Sequence, residues 1–508
     1  VTGALFGAKL KVVSGITTAS SSSSPFNAVF NNDITVDAGA NLRVLSGGYF
    51  ITGNAAVTNN GTISTGNSSG TFRMNGPAIT NTGTISASNF EINSDCNITS
   101  SGSWTTSAFQ VNSGINAILF TDMNFGGTSA QGILLKTNSS FDLNGRKLTL
   151  NGGVGSVTYT QETGSVTKET GKIECFGTVN FNINTGGIFR ASVYTKTGIT
   201  QIYNSGSPFT TTMENSLFID AGATFRVLAG GYTLTLRDSI VNNGTFATGN
   251  ASGLVRYFGN YIINNGTISA DEFRFESDQV SAAGQVRNVS GTGAFTSNVC
   301  TIYDGTYLLM TSNHSFRIMT INQGATLDIG SYTLKLTGAG SPISVSGGFI
   351  NTSGTIEYGG TAAQSMVHTN INYINLNINN HAGETDGRNF TNKGLNGREI
   401  NLEANASHSE TPGNTISGTT GYITTTRNIN APNALNVAGF GAVLTSTENF
   451  GLTEIRRGHG FYLVSGDTSV RRYYVIRPDN NNGLNATCSF RYDDTELNGN
   501  TVSSLKIL

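Results

Sequence analysis

Residues 15–92 of this chain recur, without a gap, 183 positions further on. Gly15-Ile16-Thr17 returns as Gly198-Ile199-Thr200, and Ser24-Pro25-Phe26 as Ser207-Pro208-Phe209. The run from Asp37-Ala38-Gly39-Ala40 to Gly47-Gly48-Tyr49 returns as Asp220-Ala221-Gly222-Ala223 to Gly230-Gly231-Tyr232. Between 34 and 92, 30 of 59 aligned positions are identical. A register held that long marks a duplicated structural unit, and such repeats restrict the architecture before any local propensity does.

A shorter period lies inside the long one. Gly39, Gly61 and Gly83 are 22 residues apart, and Gly222, Gly244 and Gly266 repeat the spacing. Each sits in a turn-like tetrad such as Asn59-Asn60-Gly61-Thr62, where glycine and asparagine tolerate the positive φ of a corner. Short β-branched pieces follow, as in Thr62-Ile63-Ser64 and Thr84-Ile85-Ser86. Short strands between Gly/Asn corners predict coils of a right-handed parallel β-helix, with Ile63 and Ile85 on adjacent coils. Dividing 183 by 22 gives about eight coils per unit, stacked about 4.8 Å apart.

Composition supports a β-solenoid. Only 12% of residues are charged, there are 64 glycines and 7 prolines, and aromatic residues at 9% can fill a core. Alternation is frequent, as in Leu148-Thr149-Leu150 and Leu334-Lys335-Leu336, whereas helical apolar spacing is not sustained anywhere. The duplication slips by three residues where Phe141-Asp142-Leu143 meets Leu327-Asp328-Ile329, then returns to 183 at Gly171 and Gly354. The expected organisation is one repeat unit over 1–197, a second over 198–360, and a divergent β module over 361–508. In that last region, alternating blocks at 472–476 and 487–492, joined by the polar stretch 479–483, predict an antiparallel hairpin.

Charge and motifs exclude several functions. With 29 basic and 31 acidic residues spread thinly, the chain lacks the dense basic face that nucleic-acid binding needs. No apolar run approaches the roughly 20 residues of a membrane span. The start at Val1 and the strand-like end at Leu508 lead to the expectation of a fragment of a longer product. Cys96, Cys175, Cys300 and Cys488 form no CxxC pair and are expected as buried, reduced side chains. His314, His368, His381, His408 and His459 show no zinc-ligand spacing. Gly458-His459-Gly460 is similar to an element of pectin-degrading β-helices. The paired aspartates needed to act as acid and base on a glycosidic bond do not precede it, so a tight turn before a strand at 461–464 is the expectation. The stretch 479–483 lacks the sixth-position glycine and twelfth-position glutamate of a calcium loop. No catalytic residue, metal site or cofactor is expected.

The charged and aromatic residues that recur between the copies are the candidates for ligand contact: Arg43 and Tyr49, with Arg226 and Tyr232 as their partners. Stacked on one face they would form spaced glycan contacts. Alternatively, each Asp37-type residue caps a corner, each arginine lies along the neighbouring coil, and each tyrosine packs at a coil edge. Asn59 and Asn81 are expected as an internal hydrogen-bond stack.

From residue 361 the text changes. Gly360-Thr361-Ala362-Ala363-Gln364 leads to Tyr373-Ile374-Asn375-Leu376-Asn377-Ile378-Asn379-Asn380, then to Arg471-Arg472-Tyr473-Tyr474 and Phe490-Arg491-Tyr492-Asp493-Asp494-Thr495-Glu496-Leu497. Over 355–508 these blocks resemble the large repeat-containing cell-surface proteins of Bacteroidetes-type bacteria. The resemblance implies export through the type IX secretion machinery and an extracellular or cell-surface location. It also implies a terminal export-signal domain of β-sandwich type, which lies outside this sequence. The expected function is a structural or adhesive surface protein, such as a stalk, adhesin or filament segment, with end-to-end self-association and cell-surface glycans as partners. The alternatives are a carbohydrate-binding or carbohydrate-active β-helix module, and a cargo segment bound to export machinery.

Overall fold

The computed structural model describes residues 4–20, 26–45, 48–66, 69–126, 132–168, 171–184, 188–203, 210–228, 231–249, 253–278, 285–362, 364, 370–371, 375–378, 388–392, 399–402, 406–410, 421–464 and 466–505. The sequence features at Ser24-Pro25, Gly47, Gly230, His368, Tyr373-Ile374 and His381 lie outside them. The chain folds as a parallel β-solenoid followed by an antiparallel β module, and its contacts divide it into two compact units, Val1–Arg274 and Phe275–Leu508.

In the first unit every turn contributes one strand to each of three parallel stacks. The first face begins Ala4–Phe6, Asn27–Phe30, Phe50–Gly53, Thr71–Met74. The second begins Leu10–Val12, Ile34–Val36, Val57–Asn59, Ala78–Asn81. The third begins Ile16–Ala19, Asn41–Val44, Thr62–Thr65, Thr84–Ser86. Ile63 and Ile85 are register partners on adjacent rungs, as the glycine spacing predicts. Two long strands, Lys147–Gln161 and Lys172–Ile183, run around a corner and serve the third face and the first face of the following turn.

The period of two within each short strand sends alternate side chains into a single column. Ile34, Leu42, Ile51, Ile63, Phe72 and Ile79 are fully or almost fully buried. Each such side chain contributes about 1.5–3 kcal/mol. Phe72, Phe90 and Phe109 stack at 5.3 and 6.0 Å, with Trp104 edge-on to the last two.

The corner glycines have two different causes. Gly39 and Gly222 adopt φ of 80° and 76°, the left-handed conformation expected of a bend. Gly61, Gly83, Gly244 and Gly266 are not left-handed. A Cβ on Gly83 would lie 2.0 Å from the carbonyl oxygen of Gly61, and one on Gly266 1.9 Å from that of Gly244. The 22-residue spacing therefore records close approach of one corner to the next. Beside it, Asn59 Nδ2 donates to Asn81 Oδ1 at 2.8 Å, and Asn242 Nδ2 to Asn264 Oδ1 at 2.8 Å, all four residues fully buried. These are the internal stacks expected from the sequence.

The duplication does not return to its starting face. Strand Asn27–Phe30 lies on the first face, and its counterpart Thr210–Met213 pairs with Ile188–Phe189 and Thr233–Leu236 on the second. Ile34–Val36 on the second face corresponds to Leu217–Ile219 on the third, and Asn41–Val44 on the third to Thr224–Val227 on the first. The offset is eight turns and one further face, which refines the expectation of about eight coils. The inward residues survive this rotation: Ile34/Leu217, Val44/Val227, Ile79/Ile262 and Ile85/Ile268 are buried in both copies.

In the second unit, three parallel stacks are again present. One runs Gln285–Ser290, Thr306–Met310, Thr326–Gly330, Gly348–Asn351. Another runs Val299–Ile302, Met319–Ile321, Ile343–Val345. The third runs Ala294–Phe295, His314–Phe316, Thr333–Leu336, Thr355–Tyr358 and extends past residue 360 through Asn375–Ile378 and Glu399–Leu402 to Tyr422–Asn430. There the ladder changes sense. Tyr422–Asn430 pairs antiparallel with Asn449–Gly458, which pairs antiparallel with Tyr473–Pro478.

A second antiparallel sheet holds Leu435–Asn436, Ala442–Thr445 and Thr487–Phe490. Antiparallel pairing is thus present, but the expected hairpin between 472–476 and 487–492 is not. Tyr473–Pro478 and Thr487–Phe490 belong to different sheets, and 479–483 lies on the connection between them. Alternation in each block identifies a strand but not the strand it pairs with, and all four residues of Thr487–Phe490 are exposed. Tyr474 and Phe490 stack between the sheets at 5.0 Å.

Candidate functional site

The four residues singled out by recurrence are not brought together. Arg43 lies on the third face between Thr18 and Ser64. Arg226 lies on the first face, where its Nη2 donates to Gln201 Oε1 at 2.6 Å and Gln201 Nε2 donates to Asn180 Oδ1 at 2.6 Å. Tyr49 is half-buried with its ring 6.4 Å from Phe26, and Tyr232 is buried. Asp37 and Asp220 pair with Lys11 and Lys196 at 3.2 and 2.7 Å. A one-face rotation separates the two arginines, so no single column holds both.

What the rotation exposes is a contrast between outward columns. In the first copy Lys11, Thr35, Thr58 and Thr80 are successive register partners on the second face, continued by Thr99. Their counterparts, Tyr194, Phe218, Val241 and Ile263, are successive register partners on the third face. A hydroxyl ladder in one copy is an apolar ladder in the other. The Tyr194 and Phe218 rings stack at 4.2 Å, flanked by Lys172 and Lys196 with Nζ atoms 5.3 and 5.9 Å from the Tyr194 centroid. A neighbouring corner shows the same divergence. Asn31, Asn54, Asn75 and Asn93 hand amide hydrogen bonds down the rungs at 2.8, 3.0 and 3.0 Å. The positions of the first three are filled in the second copy by Glu214, Arg237 and Phe258, with the Arg237 guanidinium 5.3 Å above the Phe258 ring.

The terminal module assigns positions to the sequence blocks beyond residue 360. Gln364 Nε2 donates to the carbonyls of Leu336 and Gly338, and its Oε1 accepts from Gly360 N at 2.9 Å, tying neighbouring rungs. Arg457, Arg472 and Glu496 form a buried triad. Arg457 Nη2 and Arg472 Nη2 reach Glu496 Oε1 at 2.8 and 2.9 Å, and Arg472 Nε reaches Oε2 at 2.7 Å. Asp493 caps the short 3-10 helix Asp494–Glu496 in a reciprocal box. Removing one partner of such a buried triad costs about 3–5 kcal/mol. His459 is buried beside Gly458, and the strand that follows is Leu463–Val464, shorter than the expected 461–464.

The outer face of the sheet Tyr422–Asn430, Asn449–Gly458, Tyr473–Pro478 carries a different chemistry. Tyr422, Gly458 and Tyr473 are register partners across three strands. Gly458 leaves room for the Tyr473 ring, because a Cβ would lie 1.9 Å from Tyr473 Cε1 and displace it. The Tyr462 ring stands edge-on to Tyr473 with centroids 4.9 Å apart, and burial followed by the Tyr462 hydrogen bond raises the Tyr473 pKa. Arg456 lies 4.6 Å over the Tyr422 ring and pairs with Glu454 at 2.7 Å, and Arg477 pairs with the same carboxylate at 3.2 Å. Phe461, Tyr462 and Leu463 are 44%, 55% and 71% exposed. Sequence reasoning missed this group, whose members are spread over 422–477. The available signal was Tyr473-Tyr474, one ring on each face of a strand.

Among the described residues no group of three His, Cys, Asp or Glu side chains is placed to hold a metal ion. Cys96, Cys175 and Cys300 are buried, and burial pushes each thiol up to about 12, as expected of inert core cysteines. Cys488 is the exception: it is free and exposed on the sheet edge strand Thr487–Phe490. No described helix is long and apolar enough to cross a membrane. No family model, curated protein or solved structure matches the chain.

Proposed function

We propose that the chain is an extracellular structural or adhesive surface protein, a stalk or filament segment whose solenoid serves as a frame for outward-facing ladders. The observation that carries this reading is the contrast between the copies in the first unit. The inward column is kept through a one-face rotation, while the outward column changes from Lys11, Thr35, Thr58 and Thr80 to Tyr194, Phe218, Val241 and Ile263. A frame that holds its core and varies its surface is suited to presenting contacts along its length. The resemblance over 355–508 supports a surface location and passage through type IX export, and end-to-end self-association belongs to the same reading.

Protease shaving of intact source cells, followed by detection of peptides from 34–92 and 217–275, tests the location. Release of those peptides before any cytoplasmic marker supports the proposal, and their protection until lysis contradicts it. Retention under flow of beads coated with the protein on the cells' own surface glycans tests adhesion. A second reading, a carbohydrate-binding module, is favoured by the tyrosine-rich outer face of the terminal sheet.

A further inference from the structure

We propose that the free edge of the strand Thr487–Phe490 is a self-association site, where a second copy of the chain adds its own Thr487–Phe490 strand, antiparallel, across a two-fold axis at Ser489. The inference rests on the part of the surface reading that includes self-association, and it names the strand and the register.

Thr487–Phe490 is the outer strand of a three-stranded sheet, next to Ala442–Thr445. Among the described residues no strand pairs with its other side, and all four of its residues are exposed. The direction of each backbone group follows from one bond. Arg491 N donates to Gly441 O at 2.8 Å, and these two residues continue the register in which Ala442 faces Phe490. Antiparallel partners exchange hydrogen bonds at every second position. Thr487 and Ser489 therefore turn their N–H and C=O groups toward Ala442–Thr445, while Cys488 and Phe490 turn theirs outward. Two donors and two acceptors thus line the free edge.

An edge of this kind accepts another strand unless something blocks it. The usual blocks are absent here. Residues 480–490 hold no charged residue and no proline, and no bulge interrupts the pairing of the strand with Ala442–Thr445. At four residues the strand is short, so a partner must present its own groups in one register.

A second copy meets that condition. With Ser489 facing Ser489 of the second copy, Cys488 lies opposite its Phe490, and Phe490 opposite its Cys488. Each of these pairs exchanges both of its hydrogen bonds, so every outward donor and acceptor of the two strands is used. Phe490, 41% exposed and stacked on Tyr474, meets the Cys488 side chain of the second copy. Thr487 comes opposite Arg491 of the second copy, so no like charges face each other. A charged peptide strand finds no opposite charge between 480 and 490, and the occupant is therefore assigned as a second copy.

The test is sedimentation equilibrium of the purified full chain under reducing conditions, with thermal melts beside it. A reversible equilibrium of monomer and dimer is expected. Cys488→Pro removes an outward donor from each copy and none from the ladder to Ala442–Thr445, and it should weaken the dimer by about tenfold. Cys488→Ser should leave the dimer unchanged. Disulfide capture reads the register. In a Cys488→Ser background, Ser489→Cys places two thiols on Cα atoms about 4.5 Å apart, inside the range that a disulfide spans. Diamide, which takes up the protons and electrons released, should link them. Thr487→Cys, opposite an arginine, should stay unlinked. If Cys488→Pro melts early, the capture pair decides alone. A dimer unmoved by Cys488→Pro, or equal capture from both positions, would overturn the proposal and leave self-association to another surface. A monomer at every concentration, which would leave the edge to a strand of another protein, overturns it as well. Protection of the chain on intact cells contradicts the surface reading and leaves this edge standing.

Discussion

The copy at 34–92 and the copy at 217–275 occupy the same solenoid frame one face apart, and they differ according to which way a residue points. Facing inward, the asparagine stacks Asn59–Asn81 and Asn242–Asn264 have the same 2.8 Å geometry, and the close corners at Gly83 and Gly266 leave the same lack of room. Facing outward, Thr35, Thr58 and Thr80 have become Phe218, Val241 and Ile263. Interior packing is unforgiving, because one extra carbon must displace close-packed neighbours. An outward rung in a parallel stack meets only the rungs above and below, so hydroxyl and apolar ladders are both admitted.

The largest effect should come from the corners and should be equal in the two copies. Gly83→Val and Gly266→Val each drive a side chain into a carbonyl of the preceding turn, at a cost of about 3 kcal/mol. Thermal or denaturant unfolding of the two variants should show matching losses. A large loss in only one copy would break the equivalence. Next, Asn81→Ala and Asn264→Ala each remove the acceptor from a buried amide, which costs about 1–3 kcal/mol. If either is neutral, the internal stack in that copy is not satisfying buried groups.

A pH-dependent effect sharpens the comparison further along the chain, where Met123 and His314 hold equivalent rungs as the register partners of Leu148 and Leu334, which are 186 residues apart. His314 is buried, and burial holds its pKa below the usual histidine value. The unfolded chain takes up a proton below about pH 6.5 while the folded imidazole resists it. The neutral histidine therefore fits the folded state fully above that pH, and stability is lost as pH falls through the range beneath it. His314→Met should narrow the gap between melting temperatures at pH 8 and pH 5. An unchanged gap would mean that other groups carry the acid sensitivity. The smallest effect is expected on the surface: Thr58→Val and Val241→Thr should each stay within about 0.5 kcal/mol of wild type.

Much of this frame was legible in the text of the chain. Glycines 22 residues apart gave the turn, and the partnership of Ile63 with Ile85 followed from it. The one-face displacement was legible too, although rounding the repeat to whole coils hides it: 183 exceeds eight periods of 22 by seven residues, a third of a turn. Other features required coordinates. Alternation at 472–476 and 487–492 identifies a strand in each block but not which strand lies beside it, so strands of two different sheets read as a hairpin. Spacing could not show that Gly61 and Gly83 serve close approach while Gly39 serves a left-handed bend. The tyrosine platform joins three strands and a loop, and no local pattern connects Tyr422 to Tyr473 across the intervening chain.

The central claim, that the duplicated copies share an interior while sitting on neighbouring faces, is tested most directly by a crystal structure of the full chain at a resolution that fixes strand register. Following the hydrogen-bonded ladder upward from strand Val57–Asn59 should lead to Thr233–Leu236, with Ile240–Asn242 on the adjoining face. A ladder that leads from Val57–Asn59 to its own counterpart, Ile240–Asn242, would contradict the account.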